Sequence, residues 1–183
     1  MAEDIVKRSD IDDIGRRNNN KDSYKNRVFN GARTTQDEYT GGTVFYSKNG
    51  ANSNVLDKRI ERHYTPETTS NVDHVQPLAR LEEKYKGRLS TEEIKELANQ
   101  DYNYAVTNER LNKSKGDLSN HEYIVRQIIK GEPENAITTF NMLKSELSGN
   151  LAHSANYVAT KITGKLKIAP ETKKQSKQYP AAL

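Results

Sequence analysis

Apolar and polar positions follow two rhythms along this chain. From Leu78 to Thr163 apolar residues recur at three- and four-residue spacing between punctuating glycines, the pattern of helices packed by one face. The spacing predicts helices over 78–86, stopped by Gly87, and over 109–115, stopped by Gly116. Ser90 with Glu93, and Ser119 with Glu122, have capping-box spacing and predict two further helix starts. The second of these runs through Lys130 with Ile124 and Ile128 on one face. Pro133 suits a helix start, and Ile137, Phe140, Leu143 and Leu147 give that helix an apolar stripe, ended by Gly149. A last helix is expected over 151–163.

Three short runs break this rhythm. Val72 to Val75 reads as a strand that Pro77 ends, because its ring removes a ladder donor. Tyr104 to Thr107 reads as a second. Thr43 to Tyr46, after Gly41-Gly42, is β-branched and aromatic and is closed by the turn-like Asn49-Gly50, which predicts one arm of a hairpin. Residues 1–27 offer only Ile5, Val6, Ile11 and Ile14 for burial, at most a short helix and then a loop. Residues 49–71 look irregular, although Val55, Leu56 and Ile60 can support a helical turn. The expected class is mixed α+β. Its parts are a poorly ordered or short-helical arm over 1–38, a principal domain over 39–131, helices over 132–163 and a flexible basic tail over 164–183.

Composition narrows this picture. Leu, Ile, Val and Phe make up 35 of 183 residues, which predicts a modest core with less ordered flanks. The chain has no Cys, which excludes disulfides, Cys-ligated zinc and a thiol nucleophile. No apolar run approaches the roughly 18 residues of a membrane span, and MAEDIVKRSD lacks the apolar stretch of a signal peptide. A protein without membrane contact, cytoplasmic or virion-associated, is therefore expected. The sequence pI is near 9.1, but residues 73–131 carry 10 basic and 10 acidic groups, so the excess belongs to the end of the chain. There Lys161, Lys165, Lys167, Lys173, Lys174 and Lys177 face only Glu171. A solvated tail explains those lysines at least as well as phosphate binding does.

The candidate chemistry lies in Asp73-His74-Val75-Gln76-Pro77 and in the run from Asn103 to Asp117, read as strand, long connection, strand and short helix. That order can gather a carboxylate, an imidazole and an amide oxygen at one point. Such a group suits metal-assisted phosphodiester hydrolysis, in which a divalent cation offsets charge at the phosphorus and on the leaving alkoxide. Asp73 and Asn112 are hard oxygen donors, which favour Mg²⁺ or Mn²⁺ over a soft metal. His74 is a candidate base, since an imidazole with a pKa near 6.5 is largely neutral at pH 7. Adjacent strand residues point to opposite faces, so Asp73 and His74 address one site together only if the strand ends or bends there.

These residues resemble the HNH endonucleases of the ββα-metal, or His-Me finger, type. Asp73-His74-Val75-Gln76-Pro77 matches the first part of that pattern, and Asn112 follows Asn103 by nine positions, the interval of the HNH domain in RNA-guided CRISPR nucleases. The resemblance implies a small ββα-metal unit with His74 as general base and Asp73 and Asn112 as ligands of Mg²⁺ or Mn²⁺. It makes Asn103 the residue that fixes the loop and the histidine, and Lys115 a phosphate contact, with Lys113 and Arg110 as further nucleic-acid-binding candidates. It also implies DNA cleavage to a 3′-hydroxyl and a 5′-phosphate. Many relatives brace this fold with Cys-bound zinc, which this chain lacks, so flanking packing has to hold it. Segments 39–47, 71–77 and 101–115 also resemble HNH-bearing parts of long phage virion-associated proteins, which implies a phage or virion assembly as partner.

Plainer readings stand beside these. His63, His121 and His153 read as surface or satisfied residues, His121 within the first turn opened by Ser119. Tyr102 and Tyr104 read as packing residues, and the Ile137 to Leu147 stripe as core or partner-helix contacts. A rival of another class is a structural or DNA-handling virion component with a weakly active or inactive HNH fold. A nuclease toxin module is a third.

Overall fold

A computed structural model describes residues 20–46 and 65–166. The observed class is mixed α+β. Helix α1 (Asn20–Phe29) leads into a hairpin of β1 (Thr34–Gln36) and β2 (Thr43–Phe45), antiparallel with Thr35 opposite Val44. Strand β3 (Ser70–His74) pairs antiparallel with β4 (Tyr104–Asn108), running from Ser70 opposite Asn108 to His74 opposite Tyr104. Helices α2 (Leu78–Tyr85) and α3 (Thr91–Ala98) and a 3₁₀ turn (Asp101–Asn103) fill the connection between these strands. After β4 come α4 (Glu109–Lys115), α5 (Asn120–Ile129), α6 (Ala136–Lys144), a wide π-type segment (Ser145–Leu151) and α7 (Ala152–Leu166). No described helix is long and apolar enough to cross a membrane.

Local chemistry accounts for most of these boundaries. Both capping boxes form. The Ser90 hydroxyl accepts from Glu93 N while Glu93 accepts from Ser90 N, and Ser119 and Glu122 repeat the exchange. Each satisfies donors that a helix N-terminus otherwise leaves free, about 1 kcal/mol per cap. Asn108 caps α4 by accepting from Leu111 N at 2.8 Å, so β4 passes into α4 without a loop.

Several expectations fail for identifiable reasons. The run from Thr43 is one arm of a hairpin as expected, but its partner lies upstream, at Thr34–Gln36, because the turn is made by 37–42, where Gly41 takes φ +75°. Asn49-Gly50 lies outside the described residues, as do Ile5, Val6, Ile11, Ile14, Val55, Leu56, Ile60 and His63. Helix α6 starts at Ala136 rather than at Pro133, since the Asn135 amide oxygen accepts from Thr138 N at 2.8 Å and fixes the start there. Of its apolar stripe, Leu143 is partly buried against a core cluster, but the rest is not core. Ile137, Phe140 and Leu147 are 62%, 64% and 61% exposed, whereas Met142 and Thr138 are buried. The helix is rotated by polar contacts: Asn141 Nδ2 donates to Tyr39 O at 3.0 Å, and Asn120 Nδ2 to Met142 O at 2.9 Å. In α5 likewise Ile124 is buried but Ile128 is exposed, and Asn120, Tyr123 and Gln127 complete the inward face. Gly149 does not end a helix. It lies in the π-type segment, where a Cβ would come within 2.8 Å of the Tyr102 carbonyl oxygen.

Three apolar clusters hold these parts. Leu81, Tyr85, Leu89, Ile94, Leu97 and Ala98 join α2 to α3, with Tyr157 and Val158 of α7 against them. Tyr102 packs here too and stacks on His153 at 5.1 Å. Phe29, Val44 and Val106 tie α1 and the hairpin to β4, so part of the expected N-terminal arm is core. The third cluster, with Tyr39, Val75, Ala105, Leu111, Tyr123, Ile124 and Met142, lies around β3, β4 and α4. Each large aliphatic side chain contributes about 1.5–3 kcal/mol when fully buried, and this packing is the flanking support expected of a chain without cysteine. At the far end, Lys165 of α7 ion-pairs with Glu93, and Lys161 stands 4.0 Å from Glu96, so these two lysines cover α3 rather than belonging to a free tail. The remaining tail lysines lie outside the described residues.

Candidate active site

Strands β3 and β4 and helix α4 follow one another as strand, strand, helix, and α4 packs on both strands. The paired strands put Asp73 and His74 at the end of β3, just before the turn to Pro77. As neighbours on a strand they leave it on different sides, so they address one site only where the ladder ends, at the turn after His74. Asp73 is buried on one side, whereas His74 is only partly buried and lies near the Tyr104 ring, with centroids 5.4 Å apart. The Nε2 atom of His74 is 3.5 Å from Asn99 Oδ1, and Asn99 Oδ1 in turn accepts from the Tyr104 hydroxyl at 2.8 Å.

Asn103 extends the strand pairing past His74. Its carbonyl accepts from Val75 N at 2.8 Å, its Oδ1 accepts from Gln76 N at 2.8 Å, and its Nδ2 donates to Gln76 O and Ala98 O, both at 3.0 Å. The side-chain amide therefore bonds Gln76 as a neighbouring strand's peptide group would, and it is fully buried. This clamp sets where the chain leaves the sheet after His74.

Lys115 occupies a different place from the one expected of a phosphate contact. Its side chain is 0% exposed, and Nζ donates to Asp73 Oδ2 at 2.7 Å, His74 O at 2.6 Å and Val75 O at 3.2 Å. An ammonium has three donors, so none is left for a phosphate. Its work is internal, joining the last turn of α4 to the end of β3.

The Asp73 carboxylate is engaged at one oxygen. Oδ2 accepts from Lys115 and also from the Tyr39 hydroxyl at 2.8 Å, while Oδ1 makes no hydrogen bond among the described residues. Burial, and after it the charge of Asp73, pushes the Tyr39 phenol well above its ordinary pKa, so it remains a donor. Asn112 precedes Lys115 by three residues on α4, a spacing that puts the two near one face of the helix. Its side chain is partly buried and makes no hydrogen bond among the described residues. Thus the two expected ligands each keep an oxygen uncommitted by hydrogen bonding, which fits a hard cation. No group of three or more His, Asp or Glu residues able to hold a metal occurs among the described residues. A cation here would rest on Asp73 and Asn112, with water and phosphate oxygens completing the set.

Arg110 and Lys113 lie on the solvent side of α4. Arg110 Nε is 4.0 Å from Glu67, and Lys113 pairs with Glu109 one turn earlier. His121 is exposed but tied to its neighbours, its Nδ1 at 2.7 Å from Glu146 and 3.1 Å from the Ser119 hydroxyl. It borders a cleft of about 280 Å³ that Gln76, Arg80 and Glu122 also line. There Arg80 is held in a two-pronged ion pair by Glu122 at 2.9 and 2.8 Å.

Sequence reasoning gave no role to Tyr39, Asn99 or Asn120. Asn99 has no sequence signal, being one asparagine among many. Asn120 opens α5 just after Ser119, but its neighbours do not mark the side chain as a buried partner for Tyr39. For Tyr39 the only local mark is the turn signal of Gly41-Gly42 that follows it.

A family model described as "GmrSD restriction endonucleases, C-terminal domain" matches residues 22–178. No curated protein and no solved structure gives a significant match. The match spans the hairpin, both strands, all the candidate residues and the closing helices, and it fits the resemblance to HNH endonucleases. The chain belongs to the family of C-terminal domains of GmrSD restriction endonucleases, and with it to nucleases of the restriction-endonuclease kind.

Proposed function

We propose that this chain is a divalent-metal-dependent HNH endonuclease or nickase that hydrolyses DNA phosphodiester bonds. The observation that carries the reading is the end of β3, where Lys115 of α4 holds Asp73 and the His74 carbonyl while Asn103 fixes Val75 and Gln76 just after them. His74 is the general base. Its ring stands on the more open side of the strand; the Asn99 amide oxygen beside Nε2 can only accept, which leaves the proton on Nε2 and makes Nδ1 the nitrogen that takes a proton from an attacking water, a role worth typically 10²–10⁴-fold in rate. Asp73, through Oδ1, and Asn112, through its amide oxygen, would hold Mg²⁺ or Mn²⁺. When bound, such a cation offsets the charge that develops on the phosphate and the leaving oxygen. Asn103 keeps the turn after His74 in one conformation, and so limits the imidazole to one approach.

Arg110 and Lys113 are the cations of α4 that face solvent, and they serve as DNA backbone contacts. Removing either should weaken binding about equally on all sequences and lower the salt slope by about one. The deciding experiment follows supercoiled plasmid through nicked to linear forms with Mg²⁺ or Mn²⁺, comparing wild type with His74→Ala. Cleavage should drop by about 10²–10⁴ in the variant. Undiminished cutting excludes His74 as the base, and salt-sensitive binding without cutting under every metal favours the DNA-handling alternative.

A further inference from the structure

The hydroxyl of Tyr39 reaches Asp73 from outside the strand–strand–helix unit, 34 residues earlier in the chain. Both donors to Asp73, this hydroxyl and the Lys115 ammonium, converge on the same oxygen at 2.8 and 2.7 Å. A carboxylate held in this way at one oxygen cannot rotate freely about its last bond, and its other oxygen points in one direction.

Tyr39 is itself held from several sides. The side chain is fully buried, and its hydroxyl accepts from Asn120 Nδ2 at 3.3 Å. Its backbone N donates to Asp37 Oδ1 at 2.9 Å, and its carbonyl accepts from Asn141 Nδ2 at 3.0 Å. The other oxygen of Asp37 accepts from Asn108 N at 2.9 Å and Asn108 Nδ2 at 3.0 Å, at the start of α4. The loop that carries Tyr39 is therefore tied to the helix that carries Asn112 and Lys115. Such a set of restraints exceeds what packing one aromatic ring requires.

We propose that Tyr39 is a positioning residue which, with Lys115, pins Oδ2 of Asp73 so that Oδ1 alone is presented to a divalent cation. This rests on the metal-nuclease reading above and deepens it. A single presented oxygen has a chemical consequence. Mg²⁺ and Mn²⁺ accept monodentate carboxylates in near-octahedral sets, whereas Ca²⁺ takes more oxygens and commonly binds a carboxylate through both. Pinning one oxygen therefore selects the smaller ions. Lys115 also lowers the local negative charge, so the site depends on orientation more than on charge for its affinity.

The test is direct metal binding to the full chain, read as Mn²⁺ bound by electron paramagnetic resonance, with Ca²⁺ as competitor. Tyr39→Phe removes only the hydroxyl and keeps the ring in its cluster. It should weaken Mn²⁺ binding by about 10-fold or more, the usual effect of losing a group that orients a ligand. It should also narrow the Mn²⁺ to Ca²⁺ preference. In an Asp73→Asn background the same change should have no further effect on Mn²⁺ binding, because Tyr39 acts through that carboxylate, whereas a merely structural role would leave the two effects additive. Unchanged Mn²⁺ affinity and selectivity in folded Tyr39→Phe, or additive losses in the double variant, overturn the proposal and leave the nuclease reading standing. Wild-type protein that binds no Mn²⁺, and cleaves equally with and without metal, overturns the metal reading and this inference together.

Discussion

The strand–strand–helix unit and the α5–α6 hairpin treat polar and apolar side chains in opposite ways. Around β3 and α4 the interior holds a carboxylate, an ammonium, a phenol and two primary amides: Asp73, Lys115, Tyr39, Asn103 and Asn120. On the hairpin, Val125, Ile128, Ile129, Ile137 and Phe140 are more than half exposed. Burying an ion pair costs several kcal/mol per charge before its attraction and hydrogen bonds offset that cost. A fold does not need such a pair for stability alone, because well-packed apolar groups serve as well. Where charges are buried and bonded in this way, geometry is being held. The hairpin carries no comparable restraint on its outer face.

The sharpest way to break this contrast is Lys115→Met. It leaves Asp73 buried with only the Tyr39 hydroxyl and strips a donor from His74 O and Val75 O. Urea denaturation should show a loss of about 3–5 kcal/mol, and a loss below about 1 kcal/mol would mean the pair is solvated and the region is not the rigid one. Asn103→Ala comes next. It abandons Gln76 N, Gln76 O and Ala98 O, and it should cost about 2–4 kcal/mol by the same measurement, since unsatisfied buried groups cost about 1–3 kcal/mol each and water can reach part of the turn.

The same kind of change on the hairpin should do little. Ile129→Lys or Phe140→Ser removes an exposed side chain, and stability should stay within about 0.5 kcal/mol of wild type. A larger loss would show that this apolar face is covered in solution. The smallest effect is local and pH-dependent. The Lys165 ammonium, with help from Ser90 N, lowers the Glu93 carboxyl to about 2. A depressed carboxylate contributes stability above its ordinary pKa, and that stability is lost as pH falls through the folded value. The α3–α7 contact should therefore loosen between pH about 4.5 and 2. Following the Glu93 side-chain shift by NMR gives the midpoint, and Lys165→Ala should move it back toward the ordinary carboxylate range.

Much of this was legible along the chain, because it depends on near neighbours. Ser90 with Glu93, Ser119 with Glu122, Gly116 after α4 and Pro77 after β3 act within four residues, and each boundary falls where those residues place it. The Asp73-His74 pair at a strand end was also readable, since Pro77 must stop the ladder. The facing of α6 was not. Its apolar spacing is regular, but the helix turns Met142 inward because Asn120 and Tyr39 bond its backbone and Asn141 from far along the chain. Nor could spacing show that Lys115 points inward, since a lysine at the end of a helix is usually solvated.

By itself, then, the order of residues determined the α+β class, the succession of strand, strand and helix, and which polar groups could meet at the end of β3. Tertiary structure alone decided that Lys115 is an internal clamp, that Tyr39 completes it, and that one oxygen of Asp73 is committed while the other is not. The division follows from range. Caps, turns and periodicity act over a few residues of backbone, whereas the contacts of Asp73 join positions 34 and 42 residues apart, and their value depends on a burial that only the folded chain creates.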